Sequence, residues 1–96
     1  MPTYISLLRY TEQGIKNIKE SPARLDALRD LFKTMGAELK AFYLVSGRYD
    51  AVCITEAADA TALAKIMLTL GSKGNVRTET FRAFTEDEFR KITSGL

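Results

Sequence analysis

The order of two hydrophobic periodicities along the chain constrains its fold more than any other feature. Residues 3–10, 38–46, 51–57 and 75–84 are rich in β-branched and aromatic side chains in an alternating pattern, which is typical of β-strands. Residues 22–35 and 59–71 instead repeat apolar side chains at helical spacing. The sequence therefore predicts strand, helix, strand, strand, helix, strand.

Residues at the segment ends fit these predictions. Ser21 is the predicted N-cap of the first long helix, since Pro follows it at the first helical position, and Gly36 marks its end. Asp59 is predicted to cap the second long helix. Thr85 and Glu88 form a capping-box pattern, which predicts a short terminal helix through about residue 93.

This order of elements predicts a single α+β domain, residues 1–96, with the ferredoxin-like βαββαβ fold. Such a fold has a four-stranded antiparallel sheet with both long helices on one face. Because several strands are apolar on both sides, we expect the other face to be covered by a second copy, giving a homodimer or a higher homo-oligomer. Depending on register, that face is expected to carry some of six residues: Tyr4, Leu8, Tyr10, Phe42, Leu44 and Cys53.

Charge and residue usage exclude several classes of function. Fourteen Lys and Arg are interspersed with twelve Asp and Glu, without the basic patch of a nucleic-acid-binding protein. There is no His and one Cys, Cys53, so we expect no cofactor, no metal and no intrachain disulfide. Cys53 is predicted to be an inert buried thiol. No apolar stretch is long enough to cross a membrane and no signal-peptide pattern opens the chain, which predicts a cytoplasmic location.

Four short motifs carry a resemblance to a known family. They are Pro-Thr-Tyr at 2–4, Thr-Glu-Gln-Gly-Ile at 11–15, Gly-Arg-Tyr-Asp at 47–50 and Gly-Asn-Val-Arg-Thr at 74–78. With these motifs in the same order and spacing, the chain resembles the GYD-domain proteins, small bacterial domains of the dimeric α/β-barrel class. The resemblance implies fold and dimer but no activity, since most members have no known function. A similar hairpin in the effector-binding domains of leucine-responsive-type regulators suggests, by analogy, a ligand site.

The hairpin supplies most of the candidate ligand-binding residues. Gly47, Arg48, Tyr49 and Asp50 bring a guanidinium, a phenol and a carboxylate together, as in many small-molecule sites. Arg77 is the fifth candidate, because its guanidinium would bind a carboxylate if its strand face lined the barrel. Each also has a structural alternative: Gly47 for turn conformation, Tyr49 for packing, Asp50 for hydrogen bonds to the turn, and Arg77 for solvation.

Three functional hypotheses follow. The leading one is a small-molecule-binding dimer with its pocket between the sheet and the partner. The second is a cofactor-independent oxygenase or isomerase, in which Asp50 is the general base, Tyr49 the acid and Arg77 the anion stabiliser. The third is an oligomerisation module without a ligand.

Overall fold

A computed structural model describes all 96 residues, and its elements follow the predicted order. In chain order they are β1 (Thr3–Tyr10), α1 (Glu12–Lys16), α2 (Ser21–Thr34), β2 (Ala37–Leu44), β3 (Ala51–Ala57), α3 (Ala60–Ser72), β4 (Val76–Ala83) and α4 (Glu86–Ser94). A 3₁₀ turn, Ile18–Glu20, directly precedes α2.

The four strands form one antiparallel sheet in the order β2-β3-β1-β4. The central strand β1 pairs with β3 from Thr3 to Leu8 and with β4 from Thr3 to Tyr10. α2 packs on β2, and α3 packs on β4 and β3. The predicted α+β fold, with a four-stranded antiparallel sheet and helices, is confirmed.

The core lies between the long helices and one face of the sheet. On β3 this face carries small residues, with Ala51, Thr55 and Ala57 inaccessible to solvent, and α3 inserts Ile66 against the sheet. Small side chains on a central strand let the helix backbone approach closely, which is how a short chain achieves dense packing.

The prediction for the uncovered sheet face was wrong in its residues. All six expected residues lie on the side that faces the helices. One reason is a β-bulge between Leu39 and Ala41, which brings Leu39 and Phe42 to the same side instead of opposite sides. The opposite side, which we call the open face, has its own apolar residues: Ile5, Leu7, Ala41, Tyr43, Val52, Ile54 and Phe81.

The predicted start of α2 also needs correction. The 3₁₀ turn continues into α2, so the N-cap position is Glu20 in helical conformation, without a side-chain cap. Ser21 lies inside the helix, with its hydroxyl 3.3 Å from the Tyr10 hydroxyl. A preceding 3₁₀ turn supplies hydrogen-bond acceptors for N–H groups at the start of the helix, which a capping side chain would otherwise provide.

The other helix starts are as predicted. Asp59 Oδ1 accepts a hydrogen bond from the Ala62 amide at 2.8 Å. Thr85 and Glu88 form the full capping box, each side chain accepting from the other's amide. α4 is amphipathic but buries none of its residues, and Phe89 and Ile92 stay 58% and 47% exposed. None of the helices combines the length and apolarity that crossing a membrane requires.

Candidate functional site

The 47–50 hairpin connects β2 to β3 at one end of the sheet. Its strands stay joined by the Val45 amide, which donates to the Asp50 carbonyl at 2.9 Å. Gly47 has a φ of +157°, which residues with a Cβ rarely adopt, and a Cβ there would meet no other atom within 4 Å. Gly47 is therefore explained by the conformation of the turn and not by a close approach of another group.

Asp50 is hydrogen-bonded to the backbone at the end of β1. Its amide donates to the Leu8 carbonyl at 2.8 Å, and its Oδ2 accepts from the Tyr10 amide at 2.9 Å. The regular β1–β3 pairing ends at Leu8 and Ala51, so the carboxylate extends the ladder by one hydrogen bond. These contacts support the structural alternative for Asp50.

Tyr49 reaches across β1 to β4 on the open face. The guanidinium carbon of Arg9 lies 4.9 Å from the centre of its ring, and its hydroxyl donates to Glu79 Oε2 at 2.6 Å. The hydrogen bond to Glu79, followed by desolvation, raises the pKa of Tyr49, while the charges of Arg9 and Arg48 lower it in part. Tyr49 is thus fixed in a defined orientation as a protonated phenol.

Arg77 and Tyr49 line a shallow cleft of ≈ 240 Å³ together with Arg9, Glu79, Leu7 and Thr78. Arg9 and Arg77 are direct cross-strand neighbours, and neither forms an ion pair. Two like charges facing each other on a sheet are unfavourable unless a counter-charge is present. We call Arg9, Tyr49, Arg77 and Glu79 the polar cluster.

The structure brings together only some of the predicted candidates. Tyr49 and Arg77 share the cleft, whereas Gly47, Arg48 and Asp50 do not line it. Arg9 and Glu79 were not chosen from the sequence as candidates. A signal was present, because Glu79 shares a strand face with Arg77 and Arg9 shares one with Leu7. No three acidic or Cys side chains come together to hold a metal ion.

Two of the four sequence motifs contact each other and have a structural role. The Thr11 amide and hydroxyl donate to the carbonyls of Asn75 and Gly74, respectively. A Cβ on Gly14 would lie 2.0 Å from the Asn75 carbonyl oxygen, which explains the glycine. The motifs at 11–15 and 74–78 therefore fasten α1 to the start of β4.

Comparisons with known proteins agree with this architecture. A crystal structure of a Thermus thermophilus protein is 26% identical, covers 88% of this chain and 95% of its own, and superposes with a TM-score of 0.55. The feast or famine regulatory protein of M. tuberculosis, solved with L-methionine, superposes with a TM-score of 0.67 at 19% identity. That match covers 88% of this chain and 51% of the regulator, and shows likeness of fold alone.

Sequence comparison gives the family. A Thermus thermophilus protein named glutamine synthetase and cystathionine beta-lyase binding protein is 38% identical over 84 residues, covering 86% of this chain and 88% of the relative. The family model described as the GYD domain matches residues 4–93. The chain therefore belongs to the GYD-domain family.

Proposed function

We propose that this chain is a homodimeric binding protein that holds a small anion where the open face meets a second copy. The observation that carries the proposal is the cross-strand pair Arg9 and Arg77, in which neither guanidinium forms an ion pair and which adjoins an uncovered apolar surface. Apolar residues on all four strands of the open face support dimerisation, because such a surface is costly to leave in water.

The polar cluster favours a carboxylate or phosphate ligand. Two guanidinium groups supply planar sets of N–H donors that match these anions in geometry. Glu79 offsets one positive charge, but its Oε2 already accepts from Tyr49, so it orients the phenol. A second copy over the open face would exclude water from the cleft and strengthen each charge-assisted hydrogen bond.

The contacts of Asp50 and Tyr49 favour binding over catalysis. A general base needs a carboxylate that can reach the substrate proton. Asp50 Oδ2 instead accepts a hydrogen bond from the Tyr10 amide, and Asp50 is not among the residues that line the cleft. The Tyr49 proton is held in a 2.6 Å hydrogen bond to Glu79, which makes it a poor donor to a substrate.

Calorimetric titration with succinate and with inorganic phosphate tests the proposal. We expect at least one anion to bind wild type, and Arg77→Gln to bind it at least about tenfold more weakly, since a hydrogen bond to a charged group contributes about 1.5–3 kcal/mol. Arg77→Gln should not lower stability, because it removes a like-charge repulsion. Lys33→Gln, an exposed change on α2, is the matched control. Equal affinities in Arg77→Gln and Lys33→Gln would overturn the proposal.

A second candidate is an oligomerisation module without a ligand, and one observation favours it. Glu38 and Glu56 are cross-strand neighbours on the open face at the corner diagonal to Arg9 and Arg77. Lys40 lies 3.7 Å from Glu38, but this exposed pair contributes little. A two-fold dimer that places the acidic corner of one copy on the basic corner of the other would neutralise both.

Charge reversal distinguishes the two candidates. If the corners meet, Arg77→Glu should weaken the dimer and adding Glu56→Lys should restore it, as measured by light scattering across a concentration series. If the basic corner binds a small anion, Arg77→Glu should abolish succinate or phosphate binding, and Glu56→Lys should not restore it.

The name of the 38% identical relative supports a further role for either dimer, as a binding partner of a metabolic enzyme. The amphipathic α4 offers a suitable surface, because it buries none of its residues and Phe89 and Ile92 are exposed. We expect biolayer interferometry to detect binding of wild type to glutamine synthetase from the organism that encodes this chain. This binding should be lost in Phe89→Ser. Leu68→Ser, a 75% exposed position on α3, is the control. Binding that survives Phe89→Ser would exclude α4.

A further inference from the structure

A cavity opens on the helix-covered side of the sheet, opposite the polar cluster. It has a volume of ≈ 80 Å³ between α2 and the sheet, and nine of its thirteen lining residues are apolar. Four of them, Leu8, Leu28, Phe42 and Leu70, also line a smaller void of ≈ 30 Å³, whose lining includes Cys53. We call these two neighbouring spaces together the interhelical slot.

Part of the lining of the interhelical slot is polar and cationic. The four remaining lining residues are Ser21, Arg24, Lys73 and Asn75, and Tyr10, one of the nine apolar residues, adds a hydroxyl. Two of these residues carry positive charge and none carries negative charge. An apolar slot with two cationic residues in its lining complements a molecule with an alkyl chain and an anionic head.

Arg24 provides the second, independent observation. Its Nη1 donates to the Asn17 carbonyl at 3.0 Å and lies 3.8 Å from a carboxylate oxygen of Glu20. Its Nη2 is buried and has no hydrogen-bond partner. A buried donor without an acceptor is unfavourable, and native structures rarely leave one unexplained.

We propose that the interhelical slot binds a short-chain aliphatic carboxylate, with the alkyl chain between α2 and the sheet and the carboxylate beside the Arg24 guanidinium. The cavity volume exceeds what one water molecule needs, and apolar cavities of this kind stay dry and accept apolar molecules. Lys73 supplies the second cation, and the hydroxyls of Tyr10 and Ser21 supply neutral donors. This site lies across the sheet from the polar cluster, so it can be tested independently of the proposed function.

Calorimetric titration of the full chain with hexanoate, and in parallel with hexanol, tests the proposal. We expect hexanoate to bind wild type and hexanol to bind about tenfold more weakly, since it lacks the charge-assisted hydrogen bond. Arg24→Gln should bind hexanoate about tenfold more weakly than wild type, and Arg24→Lys should recover part of this affinity. Lys33→Gln is the matched control, because it removes one exposed positive charge from the same helix.

A second pair of variants tests the location. Ala27 lines the cavity but is exposed, so Ala27→Met should fill the slot without unfolding the chain. Ala23→Met places the same side chain one turn earlier on α2, outside the cavity. We expect Ala27→Met to abolish hexanoate binding and Ala23→Met to retain it.

Several results would overturn the proposal. They are an absence of hexanoate binding to wild type, equal affinities for hexanoate and hexanol, and binding that survives Ala27→Met. Tyr49→Phe and Arg77→Gln should leave hexanoate affinity unchanged. A loss in Arg77→Gln with none in Arg24→Gln would place hexanoate at the polar cluster, and would count against the slot while supporting the proposed function.

Discussion

Replacing Asp50 with Ala tests the structural role that its contacts assign to it. The change removes the acceptor of the Tyr10 amide, now 2.9 Å away, in a partly buried position at the end of β1. Losing a hydrogen bond to a charged group costs about 1.5–3 kcal/mol. For a domain of this length, a loss of about 2 kcal/mol lowers the melting temperature by roughly 8–16 °C.

Urea unfolding followed by far-ultraviolet circular dichroism measures this loss at one fixed protein concentration, which matters if the protein is dimeric. We expect Asp50→Ala to lower the midpoint with an unchanged slope. Asp50→Asn should cost less, because the carboxamide oxygen still accepts from Tyr10. Asp26→Ala, exposed and without a partner, should stay within about 0.5 kcal/mol of wild type. Asp50→Ala as stable as Asp26→Ala, yet unable to bind succinate or phosphate, would refute the structural role.

Three further predictions concern the fold around the sites. Gly14→Ala should lower the free energy of unfolding by about 1–3 kcal/mol in urea, because its Cβ would overlap the Asn75 carbonyl. Gly71→Ala, whose Cβ has free space, should not destabilise the protein. Equal effects of the two changes would contradict this packing. The pKa of Glu88 is held below its ordinary value, mainly by the hydrogen bond from the Thr85 amide. Glu88 therefore stabilises α4 at a pH above its ordinary pKa, and this stabilisation is lost as the pH falls through its lower pKa in the folded protein. An unshifted titration of the Glu88 carboxyl, followed by NMR, would exclude this stabilisation. Burial raises the pKa of Cys53 to about 11, so a thiol reagent at mildly alkaline pH should react slowly with folded protein and fast in guanidinium chloride. Equal rates would show that the thiol is accessible.

The sequence was sufficient for the order of elements but not for the orientation of the sheet. Alternation specifies which residues share a face, yet β1 has apolar side chains in both rows, Tyr4 and Leu8 in one and Ile5 and Leu7 in the other. Which row the helices cover depends on long-range packing that no local pattern reports. The bulge after Leu39 adds a shift that the sequence does not mark.

The sequence predicted the candidate site only in part, because the contacts between its residues depend on how the strands pair. The 47–50 motif directs attention to Tyr49, whose contacts with Arg9 and Glu79 join the hairpin to two strands distant in sequence, β1 and β4. Cross-strand register alone reveals that Arg9 faces Arg77. Asp50 shows the converse, since a carboxylate in a motif is explained here by backbone hydrogen bonds.

Light scattering on wild type and on Ile54→Glu tests most directly whether the open face is covered by a second copy. Ile54 lies on the open face between Ile5 and Ala41, where a buried carboxylate would be strongly unfavourable. Leu68→Glu introduces the same charge at a position exposed on α3 and serves as the control. We predict twice the mass of one chain for wild type and Leu68→Glu at micromolar concentration, and the mass of one folded chain for Ile54→Glu. A monomeric wild type, or a dimer that Ile54→Glu leaves intact, would contradict the account.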